Sequence, residues 1–226
     1  MIILDSPEIR NWDDFTLKDQ KISSISLMKR AAKAFTNYFV STLGETDDTI
    51  SIFCGSGNNG GDGIAVAINL RNAFYNVEVF ICHISDFSKD NRLMYEELIN
   101  YKDIGVYNIY KGDDLNNIPV EKIAIDAIFG TGLSRPVLDY WKSLINHINK
   151  KAETIFSIDT PSGMFTNQFS DGGIIEADYC GTFQSPKLVH LLPESERYLA
   201  KLDIIDIGLS ENFKPSDCYQ YYIEQS

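Results

Sequence analysis

Three short stretches gather the residues most able to bind or react: "CGSGNNGGDG", "DAIFGTGLSRP" and "DTPSG". Each mixes glycine with Asn, Asp, Ser or Thr, and each follows a β-branched apolar run, "TISIF", "KIAI" and "TIFSI". In the first, Asn58, Asn59, Gly60, Gly61 and Asp62 precede a helical pattern that begins at Gly63. A backbone without Cβ atoms there can approach a pyrophosphate and aim N–H groups at it. Gly130, Thr131, Gly132, Leu133, Ser134, Arg135 and Pro136 form a second such turn, and Arg135 adds a fork of donors matched to phosphate oxygens. Asn59, Asp126 and Ser162 offer hard oxygen ligands with no imidazole or thiolate, a set suited to an alkali or alkaline-earth cation rather than zinc. Asp159 closes a strand, where partial burial is expected to raise its carboxyl towards the working range of a general acid or base.

The elements that must position these residues alternate. "SSISLMKRAAKAFTNYF" places Met28, Ala31, Ala32, Phe35 and Phe39 on one helical face. Strands are expected at "TISIFC", "VEVFICHI", "GVYNIYK", "KIAIDAIFG" and "TIFSID", with helices at "GIAVAINLRNAF", "KDNRLMYEELINYK" and "VLDYWKSLINHINK" between them. Beyond Gly163 the reading is "GIIEADYCGTF", "KLVHLLP", a short helix "ESERYLAKL" and a last strand "DIIDIG". This order predicts a Rossmann-like α/β sandwich of three layers, with a mostly parallel central sheet and helices on both faces. Ligands of such sheets sit beyond the C-terminal strand ends. One of these stretches alone reads as an ordinary turn, but three at separate strand ends point to one shared crevice. With no repeat or low-complexity linker, a single domain over 1–226 is expected. It divides into N-terminal helices over 1–47, a core over 48–208 and a polar tail or linker over 209–226.

Composition removes whole classes of function. Twenty basic against thirty-two acidic residues give a net charge of -12, which argues against a general nucleic-acid binder. No run reaches the roughly 18 apolar residues of a membrane span, and the acidic start "MIILDSPEIRNWDD" does not resemble a signal peptide. Cys54, Cys82, Cys180 and Cys218 show no metal-like pairing and read as free thiols of a reducing, cytoplasmic setting. A Walker loop is excluded because no lysine follows Gly63. A dinucleotide fingerprint is nominally matched by Gly55, Gly57 and Gly60, but Glu78 sits inside its strand rather than at the end, where a ribose acid belongs. An ordinary nicotinamide dehydrogenase is therefore disfavoured. His83, His147 and His190 fall in or near element bodies, where structural roles are expected.

"GSGNNGGDGIAVAINL", "DAIFGTGLSRPV", "SIDTPSG" and "EADYCGTFQSPKLVHLLPESERYLAKLDIIDIGL" resemble the NAD(P)H-hydrate epimerase family, the YjeF N-terminal domain, in the right order over about residues 20 to 210. The resemblance implies a homodimer that interconverts the R and S epimers of hydrated NADH or NADPH, in which the reduced nicotinamide bears a hydroxyl at C6. It maps substrate contacts to Asn58, Asn59, Gly60, Gly61 and Asp62, to Gly130 through Pro136, and to Asp159. It maps potassium ligands to Asn59, Asp126 and Ser162, and Lys187 to the family's Pro-Lys lysine. Cys180, Lys29 and Ala32 depart from the family's usual Thr, Glu and Gly.

C6 of such a substrate is a hemiaminal carbon. Either its hydroxyl leaves as water and returns from the other face, or the ring opens and recloses. Both routes move a proton at the C6 oxygen, and Asp159 is the expected carrier, with Asp62 second. The family also includes scaffolds without enzymatic activity, which the three intact strand-end stretches argue against. In many bacteria the domain is fused to an ATP- or ADP-dependent dehydratase, so this chain is read as either a stand-alone epimerase or one domain of such a fusion.

Overall fold

The computed structural model describes residues 3–215; Cys218 and the tail beyond residue 215 lie outside the described residues. Seven strands form one sheet: β1 Ile50–Cys54, β2 Val77–Cys82, β3 Gly105–Ile109, β4 Ile123–Ala127, β5 Thr154–Ile158, β6 Ala177–Phe183 and β7 Leu199–Ile205. Their spatial order is β3-β2-β1-β4-β5-β6-β7, and every neighbouring pair is parallel. The expectation of a mostly parallel sheet thus becomes an all-parallel one. The strand order reverses between β1 and β4, which is where an open parallel sheet leaves room for a ligand.

Five helices flank it: α1 Ser6–Asp19, α2 Ser24–Leu43, α3 Asn58–Asn72, α4 Lys89–Leu98 and α5 Asp139–Lys151. The apolar face read in α2 is the one it buries, since Met28, Ala31, Ala32, Phe35 and Phe39 all join the larger core with residues of α3 and α4. Phe35 and Phe39 are wholly buried, each contributing about 1.5–3 kcal/mol by burial. Lys29, at the margin of that face, pairs with Glu97 of α4 at 2.6 Å, which explains how a basic residue is accommodated there. On the other face of the sheet, α5 packs Leu144, Ile145 and Ile148 into a second cluster with Phe53 and Phe80.

One expectation changes after β6. "KLVHLLP" contains a 3-10 turn, Leu188–Leu191, while the expected helix at "ESERYLAKL" is a 3-10 segment, Pro193–Tyr198, that gives way to β7 at Leu199. Pairing along the open edge of β6 claims the second half of that stretch.

Gly60 shows why the loop after β1 is so rich in glycine. A Cβ on Gly60 would lie 1.8 Å from the Gly55 carbonyl oxygen, and one on Gly61 would meet Met28 Sδ at 2.8 Å. These glycines therefore serve close packing of loop, helix and strand, whatever ligand approaches the loop. Gly60→Ala is expected to lower unfolding free energy by at least about 4 kcal/mol, the range of severe overpacking and backbone lesions. Chemical denaturation followed by circular dichroism checks it.

Candidate active site

The three predicted stretches meet at the C-terminal edge of the sheet. Asp126, the fourth residue of β4, is almost fully buried. It accepts hydrogen bonds from Ser157 Oγ at 2.9 Å, from Ser162 N at 2.7 Å, from Ser162 Oγ and from Ile128 N at 3.2 Å. Burial raises its pKa, and these donors only partly offset the rise. The Phe129 carbonyl next to it accepts from Asn59 Nδ2 at 2.9 Å and from Ser162 Oγ at 3.2 Å. Asn59, Asp126 and Ser162, far apart in sequence, thus converge around one backbone carbonyl. The set contains a single carboxylate and otherwise neutral oxygens. Among the described residues there is no group of three or more His, Cys, Asp or Glu able to hold a metal. This donor chemistry fits a monovalent hard cation and not zinc.

Asn58, Asn59, Gly60, Gly61 and Asp62 form the first turn and a half of α3. Gly57 caps that helix without a side-chain hydrogen bond, and its first turn carries no acid. The unpaired N–H groups are therefore free for an anion. The loop shape depends on a residue that carried no sequence signal: Asn91 of α4, fully buried, donates to Gly55 O at 2.8 Å and Gly57 O at 2.7 Å. The turn from Gly130 to Pro136 follows β4. Its Arg135 side chain is exposed.

Asp159 follows β5 with φ at +66°, a left-handed conformation that Asp tolerates better than most residues. Its Oδ1 pairs with the ammonium of Lys187 and accepts from Phe183 N at 3.0 Å and Thr182 Oγ1 at 3.2 Å. Lys187 is 1% exposed and also donates to Thr182 Oγ1 at 2.8 Å and Phe183 O at 3.4 Å. The Asp159 carboxyl is lowered, opposite to the rise expected from burial. Burial does push its carboxyl up, but the Lys187 charge and hydrogen bond, helped by Phe183 N–H, outweigh burial and hold it below the usual value. Asp159 is therefore ionised at neutral pH. Asp62 goes the other way, raised by burial and then by the charges of Asp159 and Asp13. Cys180 sits behind this group, its thiol donating to Asp159 O at 3.5 Å. His190, pushed down to about 3 by burial and then by Lys187, is neutral and accepts from Lys187 N at 3.3 Å.

Sequence reasoning missed α1 as part of the site. Ser6 donates to Thr131 O at 3.2 Å and meets Thr166 Oγ1 at 2.5 Å. At the other end, Trp12 Nε1 and Thr16 Oγ1 bond to the Ser210 backbone at 2.8 and 3.0 Å. The helix thereby lies along the C-terminal edge from the β4 and β5 loops to the end of β7. Its polar inward residues fit no motif, so only the fold shows where they point. A concavity of about 660 Å³ lies instead at the opposite edge, between Thr49, Arg71, Phe74 and Asp103. Arg71 there is already paired with Asp103 at 2.7 Å, and none of the three stretches reaches it. Glu78 lies near the start of β2 and receives a hydrogen bond from Tyr107 Oη at 3.1 Å, so it cannot bind a ribose at the crevice.

An all-parallel sheet with a polar crevice at its switch point defines a Rossmann-like protein. The chain matches the YjeF-related protein N-terminus family over residues 24–189 and belongs to that family. It is 29% identical over 212 residues to an NAD(P)H-hydrate epimerase of Oenococcus oeni, covering 93% of this chain and 98% of that one. An NAD(P)H-hydrate epimerase of Lentilactobacillus buchneri is 30% identical over 89% of this chain and 92% of its own. A bifunctional NAD(P)H-hydrate repair enzyme Nnr of Dictyoglomus turgidum is 31% identical over 83% of this chain but only 37% of its own length. The crystal structure of the yeast protein ynu0, YNL200c, superposes with a TM-score of 0.74 at 20% identity, covering 100% of this chain and 97% of that one.

Proposed function

We infer that this chain is an NAD(P)H-hydrate epimerase, an isomerase that interconverts the R and S epimers of hydrated NADH and NADPH in the strand-end crevice. The observation that carries the reading is the pairing of an ionised Asp159 with buried Lys187 at the end of β5, beside the cluster of Asn59, Asp126 and Ser162. The relatives matched along nearly their whole length bear that activity in their names.

The chemistry asked of the chain is modest. The α3 N-terminus, with Asn58 to Asp62, faces the pyrophosphate, and Gly130 to Pro136 line the opposite side with Arg135 on a phosphate. Asp159 is the base at the C6 hydroxyl or at the water that replaces it, its charge held by Lys187 through the cycle. Such proton transfer contributes about 10²–10⁴ in rate. Asn59, Asp126, Ser162 and the Phe129 carbonyl are proposed to hold a potassium ion, which supplies positive charge beside the substrate. The reading extends to a homodimer, and to a reducing cytoplasm in which the buried free thiols Cys54, Cys82 and Cys180 stay reduced. The dehydratase of the same repair acts in a fused domain or in a separate protein; the Dictyoglomus relative is named a bifunctional repair enzyme.

The test is epimer exchange. Purified R-hydrated NADH in potassium buffer is expected to equilibrate with the S epimer well above the spontaneous rate, and more slowly in sodium buffer. Absence of acceleration with either the NADH or the NADPH hydrate would leave a binding scaffold as the better reading.

A further inference from the structure

The inward face of α1 carries an acid where packing alone asks for an apolar residue. Ser6, Asp13 and Thr16 fall at helical spacing and share that face. Ser6 anchors one end to Thr131 and Thr166, and fully buried Thr16 anchors the other to Ser210. Asp13 lies between these anchors, half-buried, with no hydrogen-bond or ion-pair partner among the described residues. A partly desolvated carboxyl left unpaired costs stability, so its retention on this face asks for a reason.

The charges that act on it are Asp159 after β5, Lys187 ahead of the 3-10 turn, Asp62 on α3 and, from its own helix, Asp14. Burial, then repulsion from Asp159, push the Asp13 carboxyl up to about 7, against the attraction of Lys187. Asp159 itself is held low. Two carboxyls in one crevice, one kept protonated near neutrality and one kept ionised, make an acid and a base.

We propose that Asp13 is a second catalytic residue of this crevice, the proton donor to the C6 hydroxyl of the hydrated nicotinamide, working with Asp159 as base. The proposal rests on the epimerase reading above. The Asp13 O–H bond breaks and its proton passes to the C6 hydroxyl oxygen. The C6–O bond then breaks, its electron pair leaving with water, while the ring-nitrogen lone pair closes a C=N iminium. Water adds to C6 from the other face as Asp159 takes one of its protons. That proton returns to Asp13 through solvent, so atoms and charge balance over the turnover and nothing is oxidised.

The test compares Asp13→Asn with the unmodified chain in epimer exchange between pH 5.5 and 9. The unmodified chain is expected to lose activity above about pH 7, as Asp13 ionises. The Asn variant is expected to fall about 10²–10⁴-fold in kcat, with KM little changed and no descending limb near pH 7. Asp13→Glu, which keeps the carboxyl, is expected to recover part of the loss. A readout without turnover follows from linkage. Between the ordinary 3.8 and about 7 the unfolded chain has released this proton while the folded chain still holds it, so stability falls with rising pH across that window. Asp13→Asn should therefore flatten the fall in Tm between pH 5 and 8. Parent-level exchange with an unchanged pH profile in the Asn variant would overturn the proposal while leaving the epimerase reading intact; should that variant not fold, the same result in Asp13→Ala decides it. An unmodified chain that exchanges neither hydrate would overturn the reading and the proposal together.

Discussion

Asp159→Asn is expected to reduce epimer exchange by about 10²–10⁴-fold while hydrated NADH still binds, the range that one positioned proton-transfer group supplies. Asparagine is the informative replacement. It keeps an acceptor for Phe183 N–H and Thr182 Oγ1 and tolerates the left-handed backbone that position 159 requires. An alanine would add backbone strain to the loss that either variant carries, the Lys187 ammonium left buried without its counterion. What the Asn variant loses is the negative charge that Lys187 holds ready, so the loss should appear in kcat rather than in KM. Exchange rates across a substrate series, with binding followed by calorimetry, separate the two. An Asn variant with full turnover would remove Asp159 from the mechanism.

Lys187→Met carries the second large effect, and it is one of stability. Lys187 is buried and all three of its protons are engaged by Asp159, Thr182 and Phe183. Removing it leaves the Asp159 carboxylate desolvated without a counterion, at a cost of about 3–5 kcal/mol. The pH dependence has a definite sign. In the unmodified chain the Asp159 pKa is lowered, so its contribution is present above the ordinary carboxyl value and lost as pH falls through the folded value. In the variant burial acts alone and raises it, so stability instead falls as pH rises. The gap between the two chains should therefore be small near pH 4 and widen towards neutrality. Denaturation series at several pH values read this directly. The double variant Asp159→Asn/Lys187→Met should regain part of the loss, since no buried charge is then left alone, and a double as unstable as the single would show that packing, not charge, is what Lys187 supplies.

The two pairs divide the work of the crevice. Lys187 keeps Asp159 ionised at a cost the fold meets by three hydrogen bonds, whereas Asp62 and Asp13 are left in surroundings that favour their protons. The same asymmetry makes the site stable enough to fold and unstable enough to react, a common trade at functional sites.

Much of the architecture was legible in the chain. The apolar spacing of α2 and the β-branched runs of β1, β4 and β5 follow from periodicities of 3.6 and 2 that depend on local neighbours alone. The strand-end rule places Asn59, Asp126 and Ser162 in one crevice, because alternating strands and helices leave few ways to connect. Residue type supplied the donor chemistry, hard oxygens suited to a potassium-like ion.

Other matters depend on through-space fields and packing that no local pattern encodes. Whether Asp159 is protonated or ionised turned on Lys187, 28 residues away in sequence, and the direction came out opposite to that expected from burial alone. Gly60 and Gly61 are small because Gly55 O and Met28 lie against them. Asn91 shapes the loop from a helix with no motif. The stretch after Tyr198 became strand because β6 offered an open edge. The placing of α1 across the crevice, with Asp13 on its inner face, is likewise decided only when Ser6 and Thr16 find partners more than a hundred residues on. Sequence fixes what each residue is able to do; burial and the charges brought beside it decide which of those things it does.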